Sequence, residues 1–297
     1  MFGDVPLAIK IYSERFNKRN ETNPSEHSGG KRLSDKDLHS EFLYEVDIMA
    51  SIPPSEYIVQ LLGYQESNPC AIIMKFYQVN LKILIHHPSF YRGPFMSLKI
   101  AMDISKGLQH LHVNNILHLD VKPENVLIEF RQNQKFKCLL CDFGYSSRIA
   151  SSETEPPRLV GVKLPRMAGL TWRYAAPELY ETVKSRGRLN QECDKKIDVY
   201  AFAMTMFEAI SGKPAWSEVQ KVDAIKNLVS AGKRPVFSEI LEIEYSNASM
   251  AHFLPLIEQC WAQNPQERPT FDNVLEILVD ESSCPTYIEP TVDVQGY

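Results

Sequence analysis

Apolar and polar positions follow two rhythms along this chain. Near the start, Leu7-Ala8-Ile9-Lys10-Ile11 is an apolar run of strand length that holds one lysine. Residues 13–37 are polar, rich in Asn, Ser, Gly and Lys, and read as a mobile insertion. Leu38, Phe42, Val46 and Met49 then recur at helical spacing, and the helix they predict stops before Pro53-Pro54. Residues 58–62 and 71–76 read as strands separated by the turn residues Ser67-Asn68-Pro69.

A helical rhythm dominates afterwards. Ser97 is placed to cap a helix carrying Leu98, Ala101, Ile104, Leu108 and Leu111 on one face. Residues 126–128 and 137–140 read as short strands around a polar turn. Residues 142–178 are weakly periodic, and a loop of that length in a compact domain is usually functional. Residues 199–210 are apolar nearly all round, as a helix buried in a core would be, and Gly212 is placed to end it. Further helices are expected from Val222, Met250 and Phe271, with a surface tail after Asp280. The predicted fold class is α+β: a small β-rich lobe over residues 1–77, a larger helical lobe over 78–280 and a tail over 281–297.

Composition changes this picture little. Of 297 residues, 44% are hydrophobic, enough for a core without disulfide or metal staples. The net charge of −5 gives no reason to expect a nucleic-acid partner. No apolar run reaches the ~18 residues of a membrane span. The N-terminus has no basic region followed by an apolar one, so no signal peptide is expected. Six cysteines are too few for a disulfide framework. Cys138 and Cys141 form a C-x-x-C with no second pair near it, and read as thiols in or beside a buried strand. A reducing, cytoplasmic setting is the expectation.

The sharpest string is His118-Leu119-Asp120-Val121-Lys122-Pro123-Glu124-Asn125. Asp142-Phe143-Gly144 and Ala176-Pro177-Glu178 lie downstream, with Ala8-Ile9-Lys10 and Glu45 upstream. With these motifs in this order, the chain resembles the eukaryotic protein kinase family over residues 5–278. The resemblance implies a bilobal kinase fold and transfer of the γ-phosphate of ATP, with Mg²⁺, to a protein substrate. Phosphoryl transfer asks for positioned charge around the phosphates and a hydroxyl held in line. Asn125 and Asp142 supply hard oxygens that suit Mg²⁺, and the resemblance assigns both as metal ligands. It assigns Asp120 to orient and deprotonate the substrate hydroxyl, and Lys122 to reach the transferring phosphate. Lys10 would hold the ATP phosphates and Glu45 would hold Lys10. Taken alone, Lys10 also fits an edge lysine snorkelling to water. Ala8 and Leu127 would enclose the adenine, Met74 would guard the deep pocket, and the segment from Lys75 to Tyr77 would offer backbone groups to the base.

Other matches carry structural roles. Glu178 and Arg268 resemble the family's ion pair beneath the activation segment, and Asp198 the aspartate that holds the catalytic-loop backbone. Met49, Leu61, His118 and Phe143 match the apolar column linking the lobes, so His118 reads as a packed histidine. Lys122 and Thr171 resemble the serine/threonine type. The Thr171-Trp172-Arg173-Tyr174 string and the segment from Glu45 to Met49 resemble the tyrosine-kinase-like group.

Three departures stand out. Only nine residues precede Lys10, with Gly3 as their one glycine, so the chain reads as lacking the glycine-rich loop and its first two strands. It would then be a truncated kinase, or a kinase-like nucleotide-binding or scaffold module with weak or no transfer. Leu119 stands where most members carry an arginine that pairs with a phosphorylated loop residue, so activity is expected not to depend on such a pair. Ser146, Ser147, Ser151, Ser152 and Thr154 still offer phosphate acceptors. Glu45 lies unusually far beyond Lys10, and the insertion at 13–37 absorbs the difference at small entropic cost. That insertion reads as filler or as the docking segment of a regulatory partner.

Overall fold

The alternating run at the start forms β1 (Leu7–Tyr12). Its partners are β2 (Leu61–Gln65) and β3 (Cys70–Lys75), in an antiparallel sheet of order β1-β3-β2. Ala8 sits opposite Met74 and Lys10 opposite Ile72. Strand alternation puts Ala8, Lys10 and Tyr12 on one face of β1 and the exposed Leu7 and Ile9 on the other. Helix α1 (Asp35–Ser51) covers the first of these faces. Its Phe42 is fully buried and meets the Tyr12 ring edge-on, with centroids 5.5 Å apart. This computed structural model describes residues 5–13, 35–150, 158–160, 171–180, 194–238, 241, 245, 252–283 and 289–292.

Two boundaries differ from expectation in this half. Helix α1 begins inside the stretch read as an insertion, of which residues 14–34 lie outside the described residues. The strand expected over 58–62 starts only at Leu61. Residues 57–59 pair elsewhere: Val59 donates its N–H to Leu140 O at 2.9 Å, and Leu140 donates to Tyr57 O at 2.9 Å. Backbone groups go where their hydrogen bonds are satisfied, and the apolar pattern of 58–62 cannot say which neighbour that is.

The chain then forms β4 (Val79–Asn80), α2 (Leu81–His86) and α3 (Pro94–Val113). Asn80 caps α2 by accepting the Ile83 N–H at 2.9 Å. Next come β5 (Ile116–Leu117), β6 (Val126–Phe130), β7 (Phe136–Leu140), β8 (Ser147–Ala150) and β9 (Arg158–Val160). They form two further antiparallel sheets, β4-β6-β7 and β5-β8-β9. Helices α4 (Asp194–Ser211), α5 (Val222–Ser230), α6 (Phe253–Cys260) and α7 (Phe271–Ser282) follow in the helical part. A β-rich N-terminal part and a helical C-terminal part make this an α+β, bilobal architecture.

Leu98, Ala101, Ile104, Leu108 and Leu111 of α3 are all buried, as their spacing predicts. Ser97 is not the cap. Gly93 and Pro94 start the helix, and Ser97 lies inside it, buried, with its hydroxyl accepting from Tyr245 Oη at 2.5 Å. Pro at the first helical position costs no hydrogen bond, which is why the helix starts there. Helix α4 is buried almost all round. The two polar interruptions of its stretch 199–210 are satisfied internally. Thr205 donates to Ala201 O at 2.9 Å, and Glu208 takes His86 Nε2 at 2.7 Å and the Tyr174 hydroxyl. Gly212 ends the helix at φ +67°, where a side chain would be strained. Of the helix expected from Met250, the structure describes α6 from Phe253 onward. The tail does more than lie on the surface: Val292 is buried and donates its N–H to Gln134 O at 2.8 Å. Among the described residues no helix is long and apolar enough to cross a membrane.

Candidate active site

Asp198, near the start of α4, is fully buried beneath the segment that joins β5 to β6. Its two oxygens accept the backbone N–H groups of His118, at 2.9 Å, and Leu119, at 2.8 Å. His112 of α3 approaches with Nε2 at 2.9 Å. Burial favours the protonated acid, but the His112 bond and the nearby positive charge outweigh it and hold the carboxyl below its ordinary range. The anchored backbone carries Leu119 at φ +62° with its side chain buried. The Leu119 side chain is thus part of the core.

The next residue, Asp120, is buried as well. Its Oδ2 receives Lys122 Nζ at 2.7 Å and Asn125 Nδ2 at 2.8 Å. Asn125 Nδ2 also reaches Asp120 O at 2.8 Å, closing the turn. Lys122 Nζ continues to Thr171 Oγ1 at 2.8 Å. Burial raises the Asp120 carboxyl above the usual carboxylate value, with Lys122 opposing. Among the described residues no donor reaches Asp120 Oδ1.

Asp142 follows β7 and also has a left-handed backbone, φ +64°. Its Oδ1 lies 2.7 Å from Lys10 Nζ. The same ammonium lies 2.8 and 2.7 Å from the two oxygens of Glu45 on α1. Burial would lower the lysine's pKa, but Asp142 and Glu45 together raise it well above its ordinary value. Burial would likewise raise the Asp142 carboxyl, and Lys10 holds it below the ordinary value. Gly144 leaves room beside this group: a Cβ there would stand 3.2 Å from Glu45 Oε2 and 3.4 Å from Asp142 Oδ1, so the Glu45 oxygen would have to give slightly. Lys10 therefore does not snorkel to water. The strand points it at two carboxylates from different parts of the chain.

The remaining expected residues lie on neighbouring strands, on the segment between the sheets and in the core. Ala8 and Met74 are neighbours across the β1–β3 ladder. Leu127 is half-buried on β6, opposite Asn80 and Leu139. Tyr77 lies on the segment between the two sheets, its ring 5.3 Å from Lys75 Nζ. Burial and the nearby Glu129 push its hydroxyl up to about 12. His118 is fully buried against Phe143, with centroids 5.4 Å apart. Both of its nitrogens are used, Nε2 on Cys141 O at 3.0 Å and Nδ1 on the Asp120 N–H at 3.3 Å. Met49 and Phe143 share the core with it, and Leu61 packs at the margin. Glu178 and Arg268 form a two-pronged pair at 2.6 and 2.9 Å. Cys138 is a buried thiol in β7, and among the described residues no three metal-ligating side chains of the His, Cys, Asp or Glu type cluster.

Two expected phosphate acceptors are out of reach. Ser146 and Ser147 are buried, and the Ser146 hydroxyl donates to His118 O at 3.2 Å. Ser151, Ser152 and Thr154 lie outside the described residues, as do residues 1–4 with Gly3, the one glycine before Lys10.

Three contacts escaped the sequence reading. The Tyr12 hydroxyl donates to Glu45 Oε2. Tyr44 Oη donates to Ser146 O at 2.9 Å, and Arg148 pairs with Asp47 at 2.6 Å, tying α1 to β8 and the turn before it. The one sequence signal for Tyr12 was its place two residues beyond Lys10, which in a strand means the same face.

The sequence model of the protein kinase domain family matches residues 20–278. Three proteins of Arabidopsis thaliana are similar. Serine/threonine-protein kinase STY17 is 29% identical over 80% of this chain and 37% of its own length. Serine/threonine-protein kinase VIK is 29% identical over 82% of this chain and 51% of its own. Serine/threonine/tyrosine-protein kinase HT1 is 25% identical over 83% of this chain and 56% of its own. The chain thus spans from about a third to just over half the length of these relatives.

Proposed function

This chain belongs to the protein kinase family, and we propose that it transfers the γ-phosphate of ATP to serine or threonine hydroxyls of protein substrates. The observation that carries this reading is Lys10, whose ammonium joins Glu45 of α1 and Asp142 beyond β7 at 2.7–2.8 Å. No packing requirement explains two carboxylates and a lysine brought together from three separate elements. A phosphate-binding site does.

ATP would lie between the first two sheets, its base against Ala8 and Leu127 and beside Met74 and Tyr77, its phosphates at Lys10. Asn125 and Asp142 suit Mg²⁺. Among the described residues, the side-chain nitrogen of Asn125 bonds to Asp120 while no donor takes its side-chain carbonyl oxygen, and Asp142 meets Lys10 with one of its two oxygens. Bound there, Mg²⁺ would neutralise charge on the phosphates. Asp120 orients the substrate hydroxyl and takes its proton on Oδ1 as the new O–P bond forms and the bond from the γ-phosphorus to the β–γ bridging oxygen breaks, releasing ADP. Its raised carboxyl makes it a stronger base than an exposed aspartate. Lys122 offsets charge on the moving phosphoryl group, steadied by Asp120 and Thr171. The contact with Thr171 favours the serine/threonine class. The free thiols Cys70, Cys138, Cys141 and Cys260 suit a reducing cytoplasm.

The test is transfer of labelled phosphate from ATP to a generic Ser/Thr protein substrate, with Asp120→Asn as control. A loss of about a hundredfold or more is expected in the control. Transfer untouched by that change would overturn the role of Asp120. No transfer, combined with Mg·ATP-dependent thermal stabilisation, would favour the nucleotide-binding or scaffold module instead.

A further inference from the structure

We propose that Tyr12 is a positioning residue that holds Glu45 of α1 against Lys10. The inference rests on the kinase reading above for its consequence, but the contact itself stands on geometry. On β1, Ala8, Lys10 and Tyr12 share one face, so the residue two beyond the lysine reaches the same helix as the lysine does. On α1, Phe42 and Glu45 are three apart and also share a face. Tyr12 touches both. Its ring packs edge-on to Phe42 at 5.5 Å, and its hydroxyl donates to Glu45 Oε2. The Lys10 ammonium lies 5.5 Å from the centre of the same ring.

The ring and the hydroxyl do different things. Packing against the fully buried Phe42 needs only the ring. The hydroxyl adds a donor that Glu45 keeps when Lys10 turns its own donors toward phosphates. Without it, among the described residues Glu45 would depend wholly on a lysine that is also drawn to Asp142 at 2.7 Å. Burial and Glu45 push the Tyr12 hydroxyl well above its ordinary value, so it remains a donor across the working pH range.

The test uses Tyr12→Phe, Glu45→Gln and the double variant in the full chain. Tyr12→Phe keeps the ring and removes the donor. Amide hydrogen exchange is expected to rise roughly tenfold in α1 around Glu45 while α3 stays unchanged. The kcat for phosphate transfer is expected to fall roughly tenfold, with no further fall when Tyr12→Phe is added to Glu45→Gln. Unchanged exchange in α1, or losses that multiply in the double variant, would overturn the proposal. A wild-type chain that transfers no phosphate while Tyr12→Phe still loosens α1 would leave the Tyr12 clamp standing and overturn the kinase reading.

Discussion

The buried carboxylate of Asp198 accepts the backbone N–H of Leu119 at 2.8 Å, and Leu119 sits there at φ +62°. A leucine pays for that backbone conformation, so the bond and the burial of its side chain must offset the strain. The same carboxylate holds His118, and the two bonds set the direction in which Asp120 leaves the turn.

Removing that anchor therefore loosens the site before it unfolds the chain. Asp198→Ala leaves two buried N–H groups unpaired, at about 1–3 kcal/mol each. The expected result is a denaturation midpoint shifted down accordingly and kcat lowered by about a hundredfold. Urea unfolding and steady-state transfer measure the two separately. Unchanged kcat would show that Asp120 is positioned by other groups.

Acid should expose the same anchor. The Asp198 carboxyl lies below its ordinary value in the folded chain and near ~3.9 when unfolded. A depressed acid contributes stability that is complete above the unfolded value and is lost as pH falls through the folded one. The stability difference between wild type and Asp198→Asn should accordingly be constant above about pH 5 and shrink below about pH 4. Urea midpoints measured across that range test it, and a difference that stays constant into acid would contradict it.

Arg268 gives the largest expected stability effect away from the site. Its side chain is fully buried, gripped by Glu178 at 2.6 and 2.9 Å and by the carbonyls of Ala262 and Lys196, each at 2.9 Å. Glu178→Ala strands a buried guanidinium and should cost about 3–5 kcal/mol. Thermal unfolding of the variant checks this. A loss under about 1 kcal/mol would mean that the carbonyls alone satisfy the arginine.

Leu119 also predicts how the loop is governed. A buried leucine cannot receive a phosphate, and α1 already holds the start of the segment through Tyr44 to Ser146 O at 2.9 Å and Arg148 to Asp47 at 2.6 Å. Changing Ser151, Ser152 and Thr154 together to Ala should leave transfer within about twofold of wild type. Loss of activity with recovery by acidic substitutions would refute this.

How far the site could be read ahead depended on chain distance. Asp120, Lys122 and Asn125 lie within one turn, so their spacing already implied a shared cluster, and the structure joins them through a single oxygen. Lys10 and Glu45 are 35 residues apart, and only the family resemblance linked them. Beyond the strand face that Tyr12 shares with Lys10, nothing in the pattern joined Tyr12 to Glu45, Tyr44 to Ser146 or Val292 to Gln134. Burial of Ser146 and Ser147 was equally hidden, because small polar residues look solvent-facing until the core closes over them.

By itself, the sequence indicated the longer strands and helices and an α+β fold in two lobes, while the polar residues expected at the site came from the resemblance of its motifs to the protein kinase family. The elements and the fold class follow from the period of apolar positions, which the backbone enforces locally, whereas the expected site residues rest on the family resemblance. Tertiary structure decided which donor each carboxylate receives, where α3 begins, why residues 57–59 leave their sheet for Leu140, and which hydroxyls are sealed inside. Such choices are made between groups far apart in the chain, where satisfying a buried hydrogen bond outweighs local preference.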